Sequence, residues 1–340
     1  MTEPRERVSI AIDAMGGDYA PQEIVSGAID AAKKGDVAPI LVGPLNILEA
    51  ELARYETAGL PIRCLNASGF IKEEENPALA VRRQPNSSVA IATKLVKSGE
   101  AAAMIGATAT GSLVTSALQH LGMVEGIDRP VIGGVLSTLA PKTAIFDLGV
   151  NMDCKPHHLL TFAVIGTVYA RVFLNVPNPT VALLNVGVEE GKGNRLAREA
   201  YSLIKDSGLN FIGNVEGNAI LTGEANVIVC DAFVGNCLFK LSESGGQTVA
   251  KYFIDKIKKY PIINQLLGGK AKSAMAQLVS PNSVSGGLIW GIDGIVLKMH
   301  GHSRSPQVSR ALEHARMAVE EDVVGHLKVE LAKIKEHIKL

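Results

Sequence analysis

Apolar residues recur along this chain in short β-branched runs separated by stretches of helical spacing. The run at 8–13 predicts a strand, then a glycine turn, then a helix opened by Pro21 and running to about Lys34. The same alternation predicts strands at 38–42, 62–65 and 102–105, with a helix starting near Pro44 and helices on either side of 102–105. Further strands are predicted at 131–135, 143–146, 180–184, 210–212 and 227–230. Such alternation builds a mostly parallel twisted sheet with helices on both faces. The apolar run at 159–170 predicts a buried helix, with Pro156 in its first turn and Asp153 as its cap. A bilayer span needs about 20 residues, so this run is too short to cross one.

From Phe233 the pattern becomes a long helix to Tyr260, a break at Pro261 and a second helix ending near Val279. Strands at 286–289 and 295–297 return to the sheet. The residues after Pro306 read as one charged helix with apolar positions at Val308, Leu312, Ala315, Val319 and Val323. There is no internal repeat and no low-complexity linker. The expectation is therefore one two-lobed α/β domain over 1–340 on a continuous sheet, with 233–280 as a helical hairpin inserted into it.

Composition narrows the function. Lys+Arg and Asp+Glu are 34 each, so the chain is neutral, which argues against general nucleic-acid binding, where phosphate neutralisation supplies most of the affinity. Glycine numbers 34 while aromatics are 4%, which suits tight turns close to a ligand better than stacking platforms. The four cysteines form no Cys-x-x-Cys pair and predict buried thiols in a reducing compartment. The first residues carry no apolar segment of signal-peptide type.

The chemistry concentrates at strand ends. Asp13-Ala-Met-Gly16-Gly17-Asp18 follows the first strand, where glycines allow backbone approach and the two aspartates can orient a hydroxyl, an amine or the loop itself. Gly106-Ala-Thr108-Ala-Thr110-Gly111-Ser112 misses a phosphate-binding P-loop by the lysine before its serine, yet leaves hydroxyls and a helix N-terminus for a single phosphate. Arg82 and Arg83 precede Ser87-Ser88 at another helix start, either as an anion fork or as solvent-facing arginines beside a cap. Gly187-Val-Glu189-Glu190-Gly-Lys192-Gly-Asn194 places a mobile cation between glycines. Lys298-Met-His300-Gly-His302-Ser303 ends the last strand; no third ligand accompanies His300 and His302 at useful spacing, so an acid/base or anion-donor role fits better than metal. His157 and His158 read as capping and packing residues. No activated nucleophile is evident, and the set suits an enzyme acting on a phosphate-bearing or acidic small molecule.

These motifs, with Asn151-Met-Asp153-Cys-Lys-Pro156, Asn185-Val-Gly187, 210–216 and Cys230-Asp231-Ala-Phe233-Val-Gly235-Asn236, resemble in order the phosphate acyltransferases of bacterial phospholipid synthesis over nearly the whole chain. The loop at 106–112 departs from that family at Ala109, where the family carries Asn, and keeps Thr110-Gly111. The resemblance implies the phosphate acetyltransferase and isopropylmalate dehydrogenase fold, a homodimer, and transfer of an acyl group from acyl-acyl-carrier protein to inorganic phosphate. Neither metal nor cofactor is needed, because phosphate is already a nucleophile. In this scheme Lys192 and His300 face the carbonyl oxygen or the departing thiolate. Asp13, Gly16, Gly17, Asp18, Arg82, Ser87, Ser88, Thr108, Thr110, Gly111, Ser112, Asn151, Asp153, Asn194, Asn236 and Ser303 bind phosphate or substrate. Six lysines against one aspartate at 251–272, around Ile262, Ile263, Leu266 and Leu267, suggest a dimer hairpin whose tip touches anionic lipid, acyl-carrier protein or both. The expected location is the cytoplasm, at the inner face of the cell membrane beside a glycerol-phosphate acyltransferase that takes the product. The alternatives are an acyl-coenzyme A:phosphate transferase of the same fold and a non-catalytic scaffold for acyl-carrier protein.

Overall fold

The structure is a computed structural model that describes residues 7–72, 75–259, 269 and 286–338. In chain order its elements begin with β1 (Val8–Asp13), α1 (Gln22–Lys34), β2 (Val37–Gly43), α2 (Leu45–Leu52), β3 (Arg63–Asn66), α3 (Pro77–Arg83), α4 (Ser88–Ser98), β4 (Ala103–Gly106) and α5 (Thr110–His120). There follow β5 (Val131–Val135), β6 (Ala144–Phe146), α6 (Pro156–Phe173), β7 (Val181–Leu184), α7 (Arg195–Lys205), β8 (Phe211–Val215), α8 (Ala219–Thr222), β9 (Val227–Val229) and α9 (Ala232–Lys258). The last elements are β10 (Gly287–Trp290), β11 (Ile295–Lys298), α10 (Ser305–Glu320) and α11 (Val323–Ile338).

Contacts divide the chain into two compact units. The first holds residues up to Pro130 together with Ser285–Lys328. Its strands run in the order β3-β2-β1-β4-β11-β10, all parallel except β10, which pairs antiparallel with β11. Ile10, Ile12, Leu41, Met104, Ile105 and Leu297 are fully buried, as continuous apolar strands covered on both faces should be. The second unit orders its strands β5-β6-β9-β7-β8, with β5 antiparallel to β6 and the others parallel. Phe146, Ile228, Phe162 and Ile165 form part of its core. The expected α/β architecture is present in each unit.

Three local expectations are corrected. The terminal charged segment is two helices, because Asp322 takes a φ of +42° and its side chain accepts from the Gly325 N–H, starting α11 anew. Asp153 does not cap α6: it is exposed, and the His158 ring accepts from the Lys155 backbone N–H at 3.0 Å instead. Of the four cysteines only Cys230 is buried, and Cys237 is exposed on α9. The second arm of the expected hairpin, with Ile262, Ile263, Leu266 and Leu267, lies outside the described residues.

In the first unit α1 packs on α10 where Gly27 lets the two backbones approach. A Cβ at Gly27 would lie 2.5 Å from Val308 Cβ and 2.6 Å from the Ser305 carbonyl oxygen. Gly27→Ala should therefore lower stability by about 1–3 kcal/mol despite the better helix propensity of alanine, as read from urea unfolding.

Candidate active site

β1, β4 and β11 are parallel neighbours, so Asp13, Gly106 and Lys298 sit level at their carboxyl ends. That edge of an open α/β sheet is where helix N-termini present unpaired N–H groups to ligands. Asp13 is buried; its Oδ1 accepts the Met15 N–H at 3.2 Å, and the Ser88 hydroxyl and the Gly16 N–H lie near its carboxyl. Burial pushes the Asp13 carboxyl above its usual pKa, while those donors and the Lys298 charge act in the opposite sense. Gly16 has no room for a side chain, since a Cβ would lie 2.6 Å from the Thr108 nitrogen and 2.9 Å from Asp13 Oδ2. Gly17, at a φ of +99°, backs onto Gly301, whose carbonyl accepts the Asp18 N–H at 2.9 Å. The loops after β1 and β11 are thus tied together, and Ser303 in the second of them is buried, its N–H bound to the His300 carbonyl at 3.1 Å.

Ala109 stands at the N-cap of α5, and no side chain caps that helix. An Asn there, as in the resembled family, has the oxygen needed to cap the N–H of residue 111 or 112; Ala leaves those donors open. Thr110 is half-buried and Gly111 exposed, so the helix start reaches solvent. Ser87, Ser88 and Ser112 are instead shut off from solvent, and the Ser87 and Ser112 hydroxyls have no hydrogen-bond partner. Arg82 lies exposed in the last turn of α3. His300 is half-buried and stacks on the exposed His302, ring centroids 5.4 Å apart.

The second unit has its own polar centre. Asp147, directly after β6, is buried, and its carboxylate accepts the N–H groups of Gly149 (2.9 Å), Val150 (3.0 Å) and Asn151 (2.8 Å) together with the Asn151 side-chain amide (2.7 Å). Burial again raises its pKa against those donors. Asn236 stands next to Gly149, and Gly235 is forced by the Asp147 carbonyl, which lies where its Cβ would be. Asn151 and Asn236 therefore belong to one cluster, while Asp153 is exposed and outside its hydrogen bonds. Lys192 is half-exposed, its Nζ 3.9 Å from Glu189 Oε2 and its stem against Gly187. The Asn194 side-chain oxygen caps α7 through the Ala197 N–H at 2.9 Å, a structural task rather than an open donor. Sequence reasoning missed Asp147 and gave Lys298 no defined task. The Asp147-Leu-Gly149 sequence at a strand end is the same turn signal that marked Asp13.

A parallel α/β unit with glycine-opened loops and an uncapped helix at its strand ends belongs to the open α/β class, in which ligands bind at the carboxyl ends of the strands. The phosphotransacetylase of Streptococcus pyogenes shares this fold, with a TM-score of 0.66 at 16% identity over 93% of this chain and 94% of that one. The chain belongs to the fatty acid synthesis protein family, whose model matches residues 8–326. It is 40% identical to the phosphate acyltransferase of Pelotomaculum thermopropionicum over 96% of both chains, and 40% identical to that of Dictyoglomus thermophilum over 96% of this chain and 98% of the other. It is an acyltransferase.

The raised pKa of Asp13 has a signed consequence. The folded chain keeps that proton in a window, from the ordinary value near 4 up to the raised one, where the unfolded chain has lost it; this contribution to stability falls as pH rises through the window. Asp13→Asn lacks this loss, so its stability relative to wild type should increase as pH rises above the ordinary carboxylate range in urea titrations. A difference that shrinks with pH would contradict burial as the dominant cause.

Proposed function

We propose that this enzyme transfers a fatty acyl group from acyl-acyl-carrier protein to inorganic phosphate, giving acyl phosphate for phospholipid synthesis. The observation that carries this reading is the uncapped start of α5, which reaches solvent at Thr110 and Gly111, set beside the Thr108 N–H that packs closely on Gly16. Together they suit a compact oxyanion held by backbone donors. The names of the relatives support phosphate as the acceptor.

The chemistry asks little of side chains. A phosphate oxygen attacks the thioester carbonyl carbon, the carbonyl electrons move onto oxygen, and collapse of that tetrahedral oxyanion expels the carrier thiolate, which takes up a proton. The C–S bond is exchanged for a C–O bond, and no acyl-enzyme forms. Fixed donors and orientation are the main sources of rate in such a reaction. Lys192, half-exposed on a glycine-flanked loop, has the reach of a mobile cation toward the developing oxyanion, and His300 the chemistry to protonate the thiolate.

Membrane contact and a homodimer belong to the same proposal. α9 carries exposed Leu241, Val249, Tyr252 and Phe253 among Lys240, Lys251 and Lys256, an amphipathic composition that suits a partner helix and an anionic surface. Among the described residues no helix is long and apolar enough to cross a membrane.

Purified protein given palmitoyl-acyl-carrier protein and phosphate should form acyl phosphate, trapped as hydroxamate once residual thioester is removed. Lys192→Ala should reduce turnover at least about tenfold with an unchanged unfolding curve, roughly the loss of one charge-assisted contact to the oxyanion. Absence of any phosphate-dependent hydroxamate refutes the reaction; turnover only with acyl-coenzyme A reassigns the donor.

A further inference from the structure

Lys298 is placed level with Asp13 and Gly106 at the ends of the central parallel strands. Its ammonium does not simply face outward. Nζ donates to the Ala107 carbonyl at 3.2 Å and to the Met299 carbonyl, and its charge also acts on Asp13. The strand end is further fixed by the Met299 N–H, which donates to the Gly106 carbonyl at 2.8 Å.

A planar trans peptide couples each carbonyl to the N–H of the next residue, pointing the opposite way. Holding the Ala107 carbonyl on Lys298 therefore turns the Thr108 N–H away from the ammonium. No hydrogen bond from that N–H is found among the described residues; its nitrogen lies against Gly16, where a Cβ would come to 2.6 Å, and Thr108 is buried. Thr108 in turn leads through Ala109 into the uncapped α5. Lys298 thus sits behind the loop whose front carries the donors.

We infer that Lys298 is a positioning residue for the acceptor anion: by gripping the Ala107 and Met299 carbonyls it presents the Thr108 N–H, with the first N–H groups of α5, to a phosphate dianion that it does not itself touch. The inference rests on the proposed acyl transfer to phosphate and assigns the anion subsite within it. It separates acceptor binding, set by Lys298 and the loop at 106–112, from handling of the thioester.

The first test reads the loop without any reaction. Full-length protein labelled with 15N-threonine, with the Thr108 amide assigned through Thr108→Ser, is titrated with inorganic phosphate alone. The Thr108 signal should move in wild type and move far less in Lys298→Met, which keeps the aliphatic stem and loses the ammonium. In steady-state assays Lys298→Met should raise the phosphate KM about tenfold or more, while the KM for acyl-acyl-carrier protein changes less than about twofold. A merely structural role would alter stability or kcat without this split. Should the Met variant fail to fold, Lys298→Arg serves in its place; its wide fork keeps the charge but cannot bring both carbonyls to one point, so an intermediate rise in phosphate KM is expected. A folded variant with wild-type phosphate KM, or a wild-type Thr108 amide indifferent to phosphate, overturns the inference. Wild-type protein that forms no acyl phosphate overturns the reaction instead, so the two failures are distinguishable.

Discussion

At the carboxyl ends of the first unit's central strands, a buried carboxylate on β1 and an ammonium on β11 flank the end of β4, and the order of the surrounding loops depends on that arrangement. Asp13 gathers the N–H groups of Met15 and Gly16, while Lys298 gathers the carbonyls of Ala107 and Met299. Each ion satisfies backbone groups that a strand end would otherwise leave unpaired in a buried setting, where an unmatched polar group costs about 1–3 kcal/mol. The two charges also moderate one another: burial raises the Asp13 pKa, and the nearby lysine limits the rise. The loops are short and glycine-rich because they must wrap these ions closely.

The second unit solves a similar problem without a lysine. Asp147 turns the chain after β6 by accepting three backbone N–H groups and one side-chain amide, and the start of α9 is pressed against its carbonyl at Gly235. The two units thus share a device, an aspartate directly after or at the end of a strand that organises the following turn. In the first, a cation stands level with that aspartate among strands that lead to an uncapped helix.

Strand and helix positions were legible because each element carries its own period, and the apolar runs of β1, β2, β4 and β11 leave little choice of conformation. The motif loops were legible as places, since glycine, serine and threonine clusters mark strand ends. Which atoms in them face solvent was not: Ser87, Ser88 and Ser112 carry the right chemistry for phosphate but are buried by the packing of α4 and α5, which no local pattern encodes. Asn194 was spent on a helix cap and Asp153 left outside the Asp147 cluster for the same reason, that tertiary partners decide what a polar side chain does. Lys298 was visible as a residue, yet its role depends on the Ala107 carbonyl, 191 positions away.

The strand order of the first unit has a consequence for how the chain is made. β4 is paired on one side by β1, an early strand, and on the other by β11, which follows the strands of the second unit in sequence. As synthesis proceeds from the N-terminus, β4 stays an open hydrophobic edge until residues 295–298 have left the ribosome, whereas the second unit has all five of its strands in one uninterrupted stretch. The strands of the second unit can therefore all pair before those of the first, and the unit that carries the loop at 106–112 keeps an unpaired edge for longer.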